Sequence, residues 1–350
     1  MTPRPLVCAL ALSLAAALAA PSADAQRKRA PARAKAPAVS PACTDFYGVA
    51  NAQWLQANAT ATTGAVSALG QLNARAREQQ IELLDSAMAA PQGNVQKLLG
   101  DFWASGLDEA AVERDGANPV APLLARINAI RRTKDVPASI AALHQVGIPV
   151  VFHFNADVDL QDLDRHLGYF SQGGTGLVDP AFYTRTDAET RAVLGHYNQY
   201  VQRILALTGT PQAQLAAQAQ QVIDLETRIA QASRPLAELR DPRRNYAPVP
   251  VAGLAKQYRN LQLDAFLKAQ GVSDDTVSIA DTALFTQLDA LVAGIKPEQW
   301  KTYLRWRVGD AMAPYLARPW REAHFEFRGR RLAGQSAPPA RRDLVLDAIN

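Results

Sequence analysis

A chain of 350 residues, 48% hydrophobic, with 37 Lys and Arg against 33 Asp and Glu, is long enough for one large or two ordinary domains with a substantial core. Its pI near 9.1 has a local origin: setting aside Arg4, Asp24 and the bases Arg27, Lys28, Arg29, Arg33 and Lys35 leaves 31 bases against 32 acids. Nucleic-acid binding, which needs a basic face that releases counterions, thereby loses its support, and the clusters Arg240/Arg243/Arg244 and Arg328/Arg330/Arg331 read as solvated faces rather than polyanion sites.

The first residues carry Arg4, an apolar run from Leu6 to Ala20, Pro21 and then Ala23-Asp24-Ala25. This is the pattern of a secretory signal peptide at 1–25 cut before Gln26, with export to a periplasmic or extracellular compartment. The apolar run falls short of the roughly 20 helical residues that span a bilayer, so no stable membrane anchor is expected; the bases after the cleavage point oppose translocation. Residues 26–42, rich in Ala, Pro and base and without an acid or aromatic, read as a disordered linker. Cys43 is then the one remaining cysteine, and no intrachain disulfide is open to it.

Beyond the linker the pattern is mainly α with a small β element. Helical spacing runs through Val95 to Trp103, Val120 to Ile130, Ile140 to Val146 and Phe285 to Leu291. A helix opening at Glu189 aligns Val193, Tyr197, Val201, Ile204 and Leu205 before Gly209. Thr210-Pro211 reads as the N-cap and first turn of a second, carrying Leu215, Val222, Leu225 and Ile229, and the two form a hairpin. Only Ile148 to Phe154 reads as a strand.

No motif for chemistry emerges. The five histidines, His144, His153, His166, His196 and His324, never stand four apart, and none precedes Glu, so the H-E-x-x-H arrangement of zinc peptidases is missing. His324-Phe325-Glu326 offers one imidazole and one carboxylate without a second ligand. Asp157, Asp159, Asp162 and Asp164 fail the EF-hand spacing, because Asp162 stands where Gly is required; they read as acids in a loop and at a helix start. Gln172-Gly173-Gly174-Thr175-Gly176 has no following Lys-Ser/Thr and reads as a flexible turn. No G-x-S-x-G occurs, and Cys43 has no recognisable base. No catalytic, cofactor-binding or metal-ligating residue is assigned.

The stretch Pro41, Cys43, Thr44, Asp45, Phe46, Tyr47, Asn51, Trp54 and Leu55 resembles the P-C-x-D-F-Y...N-x-x-W-L entry segment of the neprilysin and endothelin-converting-enzyme family, which includes bacterial oligopeptidase O. Later stretches match in order. Phe102-Trp103 to Gly116 with Pro119 to Leu123 resemble F-Y-x-S-x-x-D-E...G-x-x-P-L-x-P-L. Ser171 to Tyr183 resembles Q-G-G-L-G-L-P-D-x-x-Y-Y, with Thr175 in place of the leucine and Val178 in place of the proline. Arg240-Asp241-Pro242 with Tyr246 is similar to R-D-P-x-x-x-Y-N. Tyr303 to Trp306, Ala313 to Leu316, Phe325 to Phe327, Leu332, Gly334-Gln335 and Ala348 to Asn350 follow the Y-L-R-W...A-P-Y-L...F-x-F...L-x-G-Q...A-V-N series.

The resemblance implies a strap at 43–75 that lies on a thermolysin-like catalytic domain, a helical N-terminal peptidase domain at 76–340 that caps a substrate chamber, and the start of a helix at 341–350. Phe46, Tyr47 and Trp54 would then be core aromatics of a partner region outside this sequence. Zinc belongs to the full-length family member and its ligands fall beyond the position of Asn350, so no cofactor is expected in this chain and it is expected to be inactive alone. Cys43 matches a cysteine that animal members pair near their C-terminus, and residues 59–72 lack an arginine that some relatives use near substrate carboxylates. Partners implied are the C-terminal catalytic half and oligopeptide substrates, with no nucleic acid. The alternative is a free-standing exported helical domain that binds peptides or a protein without catalysis.

Overall fold

The computed structural model describes residue 42, residues 44–59 and residues 67–350. The expected signal peptide at 1–25, nearly all of the expected linker at 26–42, Cys43 and most of the stretch between the entry segment and the first long helix lie outside the described residues. Two compact units divide between Leu72 and Asn73.

The first unit holds α1 (Phe46–Ala50) and α2 (Ala52–Ala57). Asp45 caps α1 by accepting the Gly48 amide at 2.8 Å, and the Trp54 indole donates to Gln71 Oε1 at 3.3 Å. Phe46 and Tyr47 are 73% and 65% exposed.

The long helix α3 (Ala68–Ala89) carries the chain into the second unit, where α4 (Asn94–Leu107), α5 (Glu109–Asp115), α6 (Ala121–Asn128) and α7 (Val136–Gln145) follow. The hairpin β1 (Phe152–Asp159) and β2 (Asp162–Gln172) comes next, then α8 (Ala181–Thr184), α9 (Ala188–Leu207) and α10 (Leu215–Ala232). After β3 (Pro248–Pro250), α11 (Leu254–Gln257), α12 (Leu263–Ala269) and β4 (Thr276–Ile279), the chain ends in α13 (Thr282–Gly294), α14 (Pro297–Met312), α15 (Arg318–His324), a π-helix (Phe325–Leu332) and α16 (Arg341–Ile349). The fold is mainly α.

The sheet runs β1-β2-β4-β3, with β1/β2 and β3/β4 antiparallel and β2/β4 parallel through Gly168 to Phe170. α9 and α10 pack together as the spacing requires, burying Tyr197, Val201, Ile204, Val222, Leu225 and Ile229. Each such buried side chain contributes about 1.5–3 kcal/mol. A second, smaller core joins Leu84 of α3, Trp103 of α4 and Val345 and Leu346 of α16.

Three expectations need correction. The strand begins at Phe152 rather than Ile148, because Val151 sits at φ +70, a conformation that breaks extended pairing. The four aspartates belong to the β1/β2 hairpin, where Asp159 pairs with Asp162 across a two-residue turn and accepts the Gln161 amide at 2.9 Å. Asn155 to Asp157 and Asp162 to His166 are exposed in succession while Asp159 is buried, so no regular alternation marks the hairpin as strand. Thr210 does not cap α10: a 3₁₀ turn at Gln212–Gln214 intervenes, and the Thr210 hydroxyl donates instead to Gln218 Oε1 at 3.1 Å.

Candidate functional site

The turn after β2 is pinned, not loose. Three successive carbonyls accept from side chains of the C-terminal helices: Gly174 O from the Tyr303 hydroxyl at 2.7 Å, Thr175 O from Arg307 at 3.2 Å and Gly176 O from Arg328 at 3.0 Å. The Leu177 amide donates to the Tyr183 hydroxyl at 2.8 Å. Glycine is required at Gly174, where φ is +87 and a Cβ would stand 2.5 Å from the Val151 carbonyl oxygen. At Gly176 a Cβ would meet the Tyr197 hydroxyl. Tyr303 also accepts the Val151 amide at 3.1 Å, so one hydroxyl holds the turn and the strained residue that feeds β1.

Two buried carboxylates anchor this framework. Glu226 of α10 is fully buried; one oxygen accepts from Tyr183 at 2.7 Å and Tyr197 at 2.6 Å, the other from the Trp306 indole at 3.0 Å. Burial raises its pKa despite Arg307 and these donors. Asp310 of α14 takes Arg328 in a two-point pair, at 2.8 and 2.5 Å, and the Tyr200 hydroxyl at 2.7 Å. Burial alone would raise Asp310, yet Arg328 holds it below the usual carboxylate range. With every carboxylate oxygen engaged by donors, neither group is arranged to transfer a proton, and both act as positioning residues.

Beside the turn a cleft of about 430 Å³ opens on the sheet, lined by Asn155 and Asp157 of β1, Tyr169 and Ser171 of β2, and Leu239 and Asp281. Its wall is fixed by Arg234, which bonds Asp281 and, at 2.8 Å, Asn245 Oδ1, while its backbone exchanges bonds with the Gln172 side chain. Mixed apolar and hydrogen-bonding walls of this size suit a peptide segment or small organic ligand.

The histidines are dispersed. His144 packs tilted against Phe152 and edge-on to Phe266 and bonds the Val150 carbonyl at 3.0 Å, with its pKa lowered by burial. His153 lies on β1, His166 on β2, His196 on α9 and His324 at the end of α15. Among the described residues no three His, Cys, Asp or Glu side chains gather as a metal site would require. Sequence reasoning missed Glu226 and Asp310, because a lone acid within a helical pattern carries no signal until its partners converge, and marked Tyr303 as the first residue of the Y-L-R-W match without a role.

A further feature lies on α4. Val95, Leu98, Leu99 and Phe102 stand at helical spacing along one face; Val95 and Leu98 are 72% and 70% exposed, while the adjoining side of the helix buries Gly100 and Trp103. Leu83 and Met88 of α3 are exposed as well.

Comparison with known proteins matches residues 42–350 to the model of Peptidase family M13. Mouse endothelin-converting enzyme-like 1 is 26% identical over 331 residues, covering 88% of this chain and 42% of that protein. Neprilysin-3 of Drosophila melanogaster is 25% identical over 336 residues, with 88% and 42% covered. Among solved structures, the zinc metalloprotease Zmp1 of Mycobacterium tuberculosis in its open state superposes with a TM-score of 0.77 at 28% identity, covering 87% of this chain and 48% of that one. PepO from Lactobacillus rhamnosis shares the fold at a TM-score of 0.70 and 19% identity, again over 87% and 48%. The chain spans less than half the length of these relatives.

Proposed function

The chain belongs to peptidase family M13, and on that premise we propose that it is the N-terminal, non-catalytic region of an exported zinc metalloendopeptidase that acts on oligopeptides, with the zinc site supplied by the part of the relatives it does not cover. In this reading residues 76–340 form the cap of a substrate chamber and residues 43–75 a strap on the catalytic half. The chamber excludes folded proteins and admits peptides, and metal-assisted hydrolysis takes place on the partner segment.

The observation that carries this reading is the exposed apolar face of α4, beside the family match. A helix that buries one face on α3 and α16 and leaves Val95, Leu98 and Phe102 in water has a second apolar face to cover. The length missing relative to the family supplies the occupant. Exposed Phe46 and Tyr47 in the entry segment support the same assignment. A free-standing binding domain would instead be expected to bury its entry aromatics within the chain.

The test is metal content and peptide hydrolysis of the purified 350-residue chain. No stoichiometric zinc after dialysis and no cleavage of a mixed peptide library are expected. Chelator-sensitive hydrolysis by the pure chain would overturn the proposal.

A further inference from the structure

Away from the turn and the sheet cleft, two adjoining hollows of about 340 and 360 Å³ open between α9 and the π-helix. They share His196, Glu326, Phe327 and Arg331; Arg203 and Arg330 complete their charged lining. We propose that this cleft is a binding site for a small phosphate-class oxyanion, either the free ion or the phosphoryl group of a small solute.

Helix geometry assembles the charges. On α9, His196, Gln199, Tyr200 and Arg203 fall on one face at spacings of three, four and seven. The π-helix does the same for its own residues, because its wider i→i+5 turn brings positions four and five apart to one side. Glu326 therefore meets Arg330 at 2.8 Å and Arg331 at 3.8 Å. An ordinary α-turn would swing Arg331 away from that face. Arg331 instead reaches His196 Nε2 at 3.3 Å, across the gap between the two helices. A π-turn of this kind costs regular hydrogen bonding, and such turns recur at functional sites.

The charge balance then selects the ligand. Three guanidiniums face a single carboxylate, in a folded region whose net charge is near −1 overall. Arg203 has no ion-pair partner among the described residues. Arg328, which the sequence groups with Arg330 and Arg331, is turned inward onto Asp310, so the cleft arginines are a separate set. The floor is Tyr200 stacked on Phe327, ring centroids 5.1 Å apart and nearly parallel, with the Tyr200 hydroxyl committed to Asp310. Arg330 lies over the Phe325 ring, 5.4 Å from its centroid, and planar guanidinium forks beside a rigid apolar floor match an oxyanion in a way that scattered surface charge does not.

The test is calorimetric titration of the full chain with inorganic phosphate, at constant ionic strength against chloride. Saturable binding at one site per chain is expected. Arg203→Gln and Arg331→Gln should each weaken it about tenfold, the loss of one charge-assisted hydrogen bond. Arg243→Gln, in an exposed cluster elsewhere, should leave it unchanged. Competition by glycerol phosphate assigns the source: tighter binding of the ester points to a phosphorylated solute, tighter binding of inorganic phosphate to the free ion. Absence of saturable binding, or equal weakening by Arg243→Gln, would overturn the proposal and assign any phosphate retention to dispersed bases such as those of residues 26–35.

Discussion

Arg328 and Asp310 form a buried two-point pair, at 2.8 and 2.5 Å, and the same guanidinium holds the Gly176 carbonyl at 3.0 Å. One side chain from the π-helix thus ties α14 to the turn after β2. Lysine can satisfy one of these three bonds but lacks the planar fork. Arg328→Lys is expected to destabilise the second unit by about 3 kcal/mol, read from the urea midpoint. A loss below about 1 kcal/mol would show that the pair does not brace the turn.

The pair also fixes an acid limit. The Asp310 pKa in the fold lies below its ordinary value of 3.8, so its stabilising contribution is complete above that value and is lost as pH falls through the folded one. Glu226 has the opposite sign: its folded pKa is raised, so its contribution is complete below the ordinary value of 4.5 and declines as pH rises through the folded one. Stability measured from about pH 6 down to about pH 3 should fall less steeply in Asp310→Asn than in the parent. Identical acid slopes would remove Asp310 from the account.

Gly174 tests the turn itself. Alanine there must keep φ near +87 with its Cβ against the Val151 carbonyl. Gly174→Ala is expected to cost at least about 2 kcal/mol, seen as a lowered melting temperature. Gly195, which has open space around its Cα, serves as the comparison, and Gly195→Ala within α9 should be neutral or stabilising.

The exposed face of α4 predicts a dissociation of solubility from stability. Leu98→Glu should change unfolding free energy by no more than about 0.5 kcal/mol, because the side chain is already in water. It should sharply reduce hydrophobic dye binding and self-association in sedimentation. A large stability loss would mean that Leu98 packs within the chain, and the docking assignment would fail with it.

The final helix is held by a small core and by charge. Leu346 is buried with Trp103, and Arg342 lies over the Trp103 ring while pairing with Asp85. Leu346→Ala should cost about 3 kcal/mol by cavity formation. Arg77→Ala should cost less than about 1 kcal/mol although Arg77 pairs with both Asp343 and Asp347, because those partners are solvated. Amide exchange in α16 reports which of the two holds it.

The sequence by itself determined the class of structure, through apolar spacing that survives packing. The α9/α10 stripes are buried where period 3.6 places them, and the ordered motif series from Pro41 to Asn350 names the family because it needs no coordinates. It did not reveal the hairpin, whose runs of exposed residues break the alternation of a strand, nor the start of β1, which depends on an unfavourable φ at Val151, whose amide donates to Tyr303. It could not distinguish Arg328 from Arg330 and Arg331 either. Only the π-helix, by turning Arg328 onto Asp310, Arg331 toward His196 and Arg330 onto Glu326, decides which of three neighbouring arginines braces the fold and which two line the cleft. Local propensity acts over a few residues, whereas these assignments rest on partners that meet only when distant helices pack.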